Sequence, residues 1–201
     1  MNYQRQICLV LLLIGCFNVG CRQNTTQKEE NTGVYLLKYN VTADGKKEGE
    51  WQRYDVTGKI RYETTNYTAD SLNGEGKLYY PSGKVQDIRH YKNGRFMGDY
   101  KEYYESGTLK SEGSYADNKM TGNWKRYYQN GQLAEVVLFK DGNEDGAFKE
   151  FYSNGKPKTE GFYKYNFDLE EAVTDGALTK YDSLGNATKM TCKMGRCNTI
   201  Q

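Results

Sequence analysis

The sequence predicts an all-β fold, an elongated single-layer antiparallel β-meander of about six 24-residue β-hairpin repeats. Three observations predict it. Six glycines, Gly49, Gly74, Gly98, Gly122, Gly146 and Gly176, are each followed nine residues later by a second: Gly58, Gly83, Gly107, Gly131, Gly155 and Gly185. Five residues after each first glycine stands a ring, Tyr54, Tyr79, Tyr103, Tyr127, Phe151 or Tyr181. The second glycine completes a turn dipeptide such as Asn130-Gly131, Asn154-Gly155, Ser82-Gly83 or Ser106-Gly107, between short β-prone runs.

The chain begins outside that pattern. MNYQRQICLVLLLIGC joins a polar stretch containing Arg5 to a mostly apolar run ending in Gly15-Cys16, the form of an export signal. Ile7 to Gly15 would span only about 14 Å as a helix, too short for a bilayer that needs roughly 20 residues. Leu13-Ile14-Gly15-Cys16 resembles a bacterial lipobox, which makes Cys16 the expected site of acylation, with Cys21 the alternative. A plain secretory signal cut near Gly20 is the simpler reading of the same residues. Residues 1–15 thus read as a lipoprotein signal peptide and 16–33 as a flexible tether, since RQNTTQKEENT holds nothing apolar to bury. The repeat domain takes 34–201.

Net charge is +2, with no basic stripe of the kind nucleic acid asks for. Leu, Ile, Val and Phe are scarce beyond residue 33, and tyrosine, 19 in all, takes their place. Such a chain cannot fill a conventional two-layer core, so rings stacked from hairpin to hairpin must replace it.

Short connections force neighbouring strands to be antiparallel. A two-residue type I′ turn at Asn130-Gly131 would pair Gln129 with Gln132, Tyr128 with Leu133, Tyr127 with Ala134 and Trp124 with Val137. Alternation then puts Trp124, Tyr128, Leu133, Val137 and Phe139 on one face, joined by Tyr100, Tyr104, Leu109 and Tyr115 of the preceding repeat. On the other face Tyr103 opposes Lys110 and Tyr54 opposes Arg61, pairs suited to cation–π packing. Tyr100 falls opposite Gly113 and Phe148 opposite Gly161, where a ring can cover the gap that a strand glycine leaves. Trp51, Tyr80 and Tyr152 complete the repeated set, read both as scaffold and as candidate contact residues.

Gly-x-aromatic-x-x-Tyr-Tyr-x-x-Gly, followed by an apolar residue and a distant Tyr, resembles the bacterial MORN-repeat variant, a family labelled YwqK-like antitoxin. The resemblance runs over residues 49–185 in six copies and is strongest over 98–163. It implies a twisted single-layer sheet that serves as an interaction scaffold, and it defines no catalytic residues to carry over. The sequence departs from the pattern at Gly76 and at Asp182, which replaces the second Tyr in the sixth copy as in a terminal cap.

Little else in the chain suggests chemistry. His90 is the single histidine and reads as an exposed strand residue. Glu102, Glu112, Glu150 and Glu160 read as cross-strand partners for Lys and Arg. Cys192 and Cys197 lack further ligands for a metal, and an oxidising compartment would join them as a disulfide that pins the last strand. Residues 162–176, with Asp168, Glu170, Glu171 and Asp175, read as a longer surface loop and the best candidate for partner recognition. The expected function is a membrane-anchored, non-enzymatic scaffold without cofactor or metal, binding a protein or envelope polymer. A homodimer would cover the face carrying Trp51, Tyr100, Trp124 and Phe148. The alternative is an antitoxin-like partner of an exported toxin.

Overall fold

A computed structural model describes residues 25–200, so the signal, Cys16 and Cys21 lie outside the described residues. The first three strands are β1 (Thr25–Asn31), β2 (Leu36–Thr42) and β3 (Gly49–Tyr54). The next five are β4 (Arg61–Thr68), β5 (Ser71–Leu72), β6 (Gly74–Tyr79), β7 (Val85–Lys92) and β8 (Arg95–Phe96). The centre of the sheet is β9 (Gly98–Tyr103), β10 (Leu109–Ala116), β11 (Lys119–Tyr127), β12 (Leu133–Lys140) and β13 (Asn143–Phe151). It ends in β14 (Pro157–Asn166), β15 (Glu171–Thr174), β16 (Gly176–Tyr181), β17 (Ala187–Lys193) and β18 (Arg196–Thr199). The longer strands pair antiparallel in sequence order, and the short β5, β8 and β15 pair with β4, β7 and β14, the same strands that β6, β9 and β16 pair with, giving one open meander as predicted.

β1 corrects the tether reading, because Thr25–Asn31 pairs with β2 from Thr25↔Thr42 to Asn31↔Leu36. All seven side chains are exposed, so composition rightly shows no apolar burial. Backbone pairing to the free edge of β2 holds the strand, helped by Lys38–Glu29 at 3.5 Å and by the Tyr39 hydroxyl donating to Glu30.

The first turns are not the type I′ turns expected. At Asn130-Gly131 the Gly131 N–H donates to the Tyr128 carbonyl and the Tyr128 N–H to the Gln132 carbonyl. Only Gly131 has positive φ there, at 82°. This is a three-residue loop closed by a glycine bulge, so the pairs Gln129–Gln132, Tyr128–Leu133 and Tyr127–Ala134 do not form. Tyr127 faces Leu133, Arg126 faces Glu135, and Ala134 is the extra residue; Trp124 still meets Val137. Likewise Tyr103 faces Leu109 rather than Lys110, whereas Tyr54 does face Arg61. Two successive positive φ values occur instead in the second turns, at Asn93-Gly94, Asp117-Asn118 and Asp141-Gly142.

The glycine that opens each repeat has a role the sequence reading missed. Gly49, Gly74, Gly98, Gly122, Gly146 and Gly176 all have positive φ inside or at the start of a strand. Around Gly122, Thr121 and Lys125 face Ser114 and Glu112, so three residues on β11 lie opposite one on β10. Such bulges bend a strand and increase its twist. Repeated along the chain, they let rings from successive hairpins cover one another within a single layer.

The core lies on the face of Trp124. Trp124, Val137, Phe139, Phe148, Leu178 and Cys192 are buried together, with Tyr100, Tyr115 and Tyr163 packed against them. Tyr100 stands opposite Gly113 and Phe148 opposite Gly161, as the spacing predicts. The ring that presses on Gly113 is nevertheless Trp124 of the next hairpin: a Cβ at Gly113 would lie 2.3 Å from it. Trp124 and Phe148 are only 5% and 3% exposed in the single chain, so these two rings need no partner to cover them.

Candidate functional site

The second tyrosine of each Tyr-Tyr pair forms a ladder. Tyr80 donates its hydroxyl to the Tyr103 carbonyl at 2.7 Å, Tyr104 to Tyr127 at 2.7 Å, Tyr128 to Phe151 at 2.7 Å and Tyr152 to Tyr181 at 2.9 Å. Each bond ties one hairpin to the next at a carbonyl freed where the strand runs into its turn. At the corresponding place the first and last repeats have Asp55 and Asp182, which cap their own turns. Asp55 accepts from the Lys59 and Ile60 N–H groups, and Asp182 from those of Leu184 and Asn186. Tyr128→Phe is expected to cost about 1 kcal/mol in urea denaturation, the net worth of one such bond. A stability equal to wild type would remove the ladder from the account.

The first tyrosines sit on the face away from Trp124. Tyr127 donates to Glu112 at 2.7 Å and Tyr181 to Glu160 at 2.9 Å. The Tyr127 hydroxyl and then Lys125 hold the Glu112 carboxyl below its ordinary value; burial and then Glu112 push Tyr127 up to about 12. All four carboxylates expected to pair do so: Lys110–Glu102 at 2.6 Å, Lys125–Glu112 at 3.2 Å, Lys158–Glu150 at 3.6 Å and Lys149–Glu160 at 3.1 Å. Cations cover rings, though not along the expected pairs: Arg61 lies over Tyr79 of the next repeat, Lys110 over Tyr104 within its own repeat and Lys38 over Tyr54. His90 is half-buried, with Nδ1 2.8 Å from the Asp99 carbonyl.

On the aromatic face Trp51 stacks on Tyr39 at 4.2 Å, and Phe148 on Tyr163 at 4.0 Å. Between them Tyr100, Tyr115 and Phe139 surround Trp124 at 5.2–6.0 Å. One polar device interrupts the rings. Asp87, 3% exposed, accepts from Arg89 Nε at 2.6 Å and Nη2 at 2.8 Å, and this pairing raises the Arg89 pKa. Arg89 lies over Phe96, so its charge is both paired and stacked.

Two open grooves of about 500 Å³ flank this packed centre. The C-terminal one is lined by Phe148, Glu150, Tyr152, Tyr163, Lys180 and Tyr181, and the N-terminal one by Tyr35, Arg53, Tyr62 and Tyr79 among others. Arg53 lies over Tyr35 and pairs with Glu63 at 3.0 Å, leaving its buried Nε without an acceptor. Beside the C-terminal groove, residues 162–176 are an extension of a hairpin rather than a loop: β14 and β15 pair from Tyr163↔Thr174 to Asn166↔Glu171. Phe167 and Leu169 at its tip are 80% and 60% exposed. Cys192 and Cys197 face each other across the last hairpin and are joined as a disulfide.

An open sheet of bulged, tyrosine-tied hairpins defines a repeat scaffold, and its family is shown directly. The MORN repeat variant matches at residues 47–68, 72–93, 98–117, 120–141 and 144–165, and the chain belongs to that family. The match takes in five copies; the sixth, with its Asp182 and longer spacing, falls outside the matched residues. No curated protein sequence matches the chain. Among solved structures it is similar to the crystal structure of TarM, at 11% identity and a TM-score of 0.25, covering 76% of this chain and 21% of that one. A mutant of S. aureus TarM in complex with Fondaparinux, alpha-GlcNAc-glycerol and UDP gives the same identity and coverage, with a TM-score of 0.24. The chain spans about a fifth of the length of these structures, and scores this low carry no functional argument.

Proposed function

We propose that this MORN-repeat chain is a non-enzymatic interaction scaffold, held at a bacterial envelope membrane by a lipid on Cys16. It presents the C-terminal part of its sheet to a protein or envelope polymer. The observation that carries the binding role is the arm formed by β14 and β15, where Phe167 and Leu169 stand exposed side by side at the tip. Apolar side chains held out on a rigid hairpin mark a contact site, and the groove at the base of the arm adds Tyr163 and Tyr152 as ring platforms. Anchoring rests on the lipobox-like Leu13-Ile14-Gly15-Cys16.

The test is intact mass and membrane partitioning of the native protein beside Cys16→Ala, followed by cross-linking in cells with wild type and a Phe167→Ser, Leu169→Ser variant. Wild type is expected to lose residues 1–15, gain a lipid mass and sediment with membranes, whereas Cys16→Ala does not. The arm variant is expected to lose its cross-linked partner. A protein that keeps residues 1–15 and stays in the cytosol overturns the anchored reading and leaves the antitoxin-like one to pursue.

A further inference from the structure

Among the described residues, the large apolar side chain left exposed within a strand is Phe162, on the face away from Trp124 in the last repeats. Along the row beside the repeat glycines, the earlier strands present Glu75, His90, Asp99, Ser114 and Asn123. The same row continues as Leu138, Ala147, Phe162 and Ala177, with Asn123 opposite Leu138 and Ala147 opposite Phe162. Phe162 is 52% exposed between buried Gly161 and half-buried Tyr163. The small side chains on either side leave a cleft of about 200 Å³ next to the ring, lined by Ala147, Lys149, Glu160, Ala177 and Thr179. Lys149 and Glu160 pair across the strands at 3.1 Å and keep 60% and 39% of their side chains exposed.

We propose that this patch joins two copies of the chain about a two-fold axis, with Phe162 of each copy seated in the cleft of the other. Three features favour a second copy as the occupant. The ring and the cleft adjoin on one face, so a single rotation satisfies both, as an isologous contact requires. The space is adequate, since a cavity of about 150 Å³ accepts benzene. The patch also carries one cation and one anion side by side. A two-fold rotation sets Lys149 of one copy against Glu160 of the other, where a patch of single sign would repel its own copy. Ala147 and Ala177 let the two sheets approach to the spacing of roughly 10 Å at which sheet faces pack. The contact is independent of the anchor and of the arm tip.

The test is sedimentation velocity of the full chain in mild detergent, which separates any lipid anchors. Wild type is expected as a dimer that dissociates on dilution, and Phe162→Glu as a monomer with an unchanged β-sheet circular dichroism spectrum. Lys149→Glu is expected to weaken the dimer by about tenfold or more, and Lys149→Glu with Glu160→Lys to restore it. Should Phe162→Glu fail to fold, the charge-reversal series decides alone. A wild type that stays monomeric at every concentration, a dimer indifferent to Phe162→Glu, or a double reversal that fails to recover overturns the proposal.

Discussion

Gly113→Ala is expected to destabilise the protein by about 1–3 kcal/mol, and the same change is expected to become neutral or favourable once Trp124 is alanine. Gly113 lies in β10 without positive φ, so its backbone conformation does not forbid a side chain. In a strand of ordinary surroundings alanine would be the better residue by roughly 0.5–1 kcal/mol, because glycine loses more chain entropy on folding. The opposite sign here comes from one contact: a Cβ would meet the Trp124 ring at 2.3 Å. Trp124 cannot retreat, since Tyr100, Tyr115 and Phe139 hold it and its Nε1 donates to the Ser114 carbonyl at 3.3 Å. Trp124→Ala alone removes the centre of the stack and is expected to cost about 3–5 kcal/mol. Urea denaturation of the four proteins completes the cycle. Stabilisation by Gly113→Ala in wild type would refute the tight approach, and equal effects in both backgrounds would refute the pairing with Trp124.

The fold was legible because its punctuation is covalent. A glycine with positive φ opens each repeat, another closes each first turn, and both recur at fixed spacing in the sequence. The turn class was also there to be read. Ser82 and Ser106 precede two of the turn glycines, and serine is not a residue that favours positive φ, whereas Asn93, Asp117 and Asp141 in the second turns are of the type that does. One bulged residue at each first turn of the first five repeats then moves partners such as Ala134 and Leu133, which shifts the turn-proximal pairs while leaving Trp124 opposite Val137. The tyrosine ladder was legible only as spacing. Its acceptors are backbone carbonyls, which no side-chain pattern names, and they become visible once neighbouring hairpins are placed. β1 escaped for the same reason: its side chains bury nothing, and its pairing rests chiefly on backbone. The exposed row at Phe162 needed the register as well, because in the sequence it is one apolar residue among many.

Alkaline pH is expected to unfold the sheet, and the half-buried tyrosines set the window. Burial raises Tyr91, Tyr100 and Tyr115, and it pushes Tyr127 and Tyr163 up to about 12, with Glu112 adding to the first of these and Glu144 to the second. Each folded value lies above the 10.0 of a free tyrosine. Such groups contribute stability that is complete below pH 10 and lost as pH rises toward about 12, because the unfolded chain gives up the proton first. Four of these hydroxyls belong to rings on the aromatic face, Tyr91, Tyr100, Tyr115 and Tyr163, so their ionisation would place charge inside the packing that replaces an aliphatic core. Tyrosinate absorbance and the sheet signal in circular dichroism should therefore change together in a steep, cooperative step above pH 10. Tyr127→Phe should shift that step by removing one ionising group, while also freeing Glu112 from the hydroxyl that holds its pKa down. Following the ring carbons of Tyr127 and Tyr163 by NMR gives the decisive reading. Titration of either near 10 with the sheet intact would mean that the rings are wetter than the packing allows, and that the stack does not hold this single layer together.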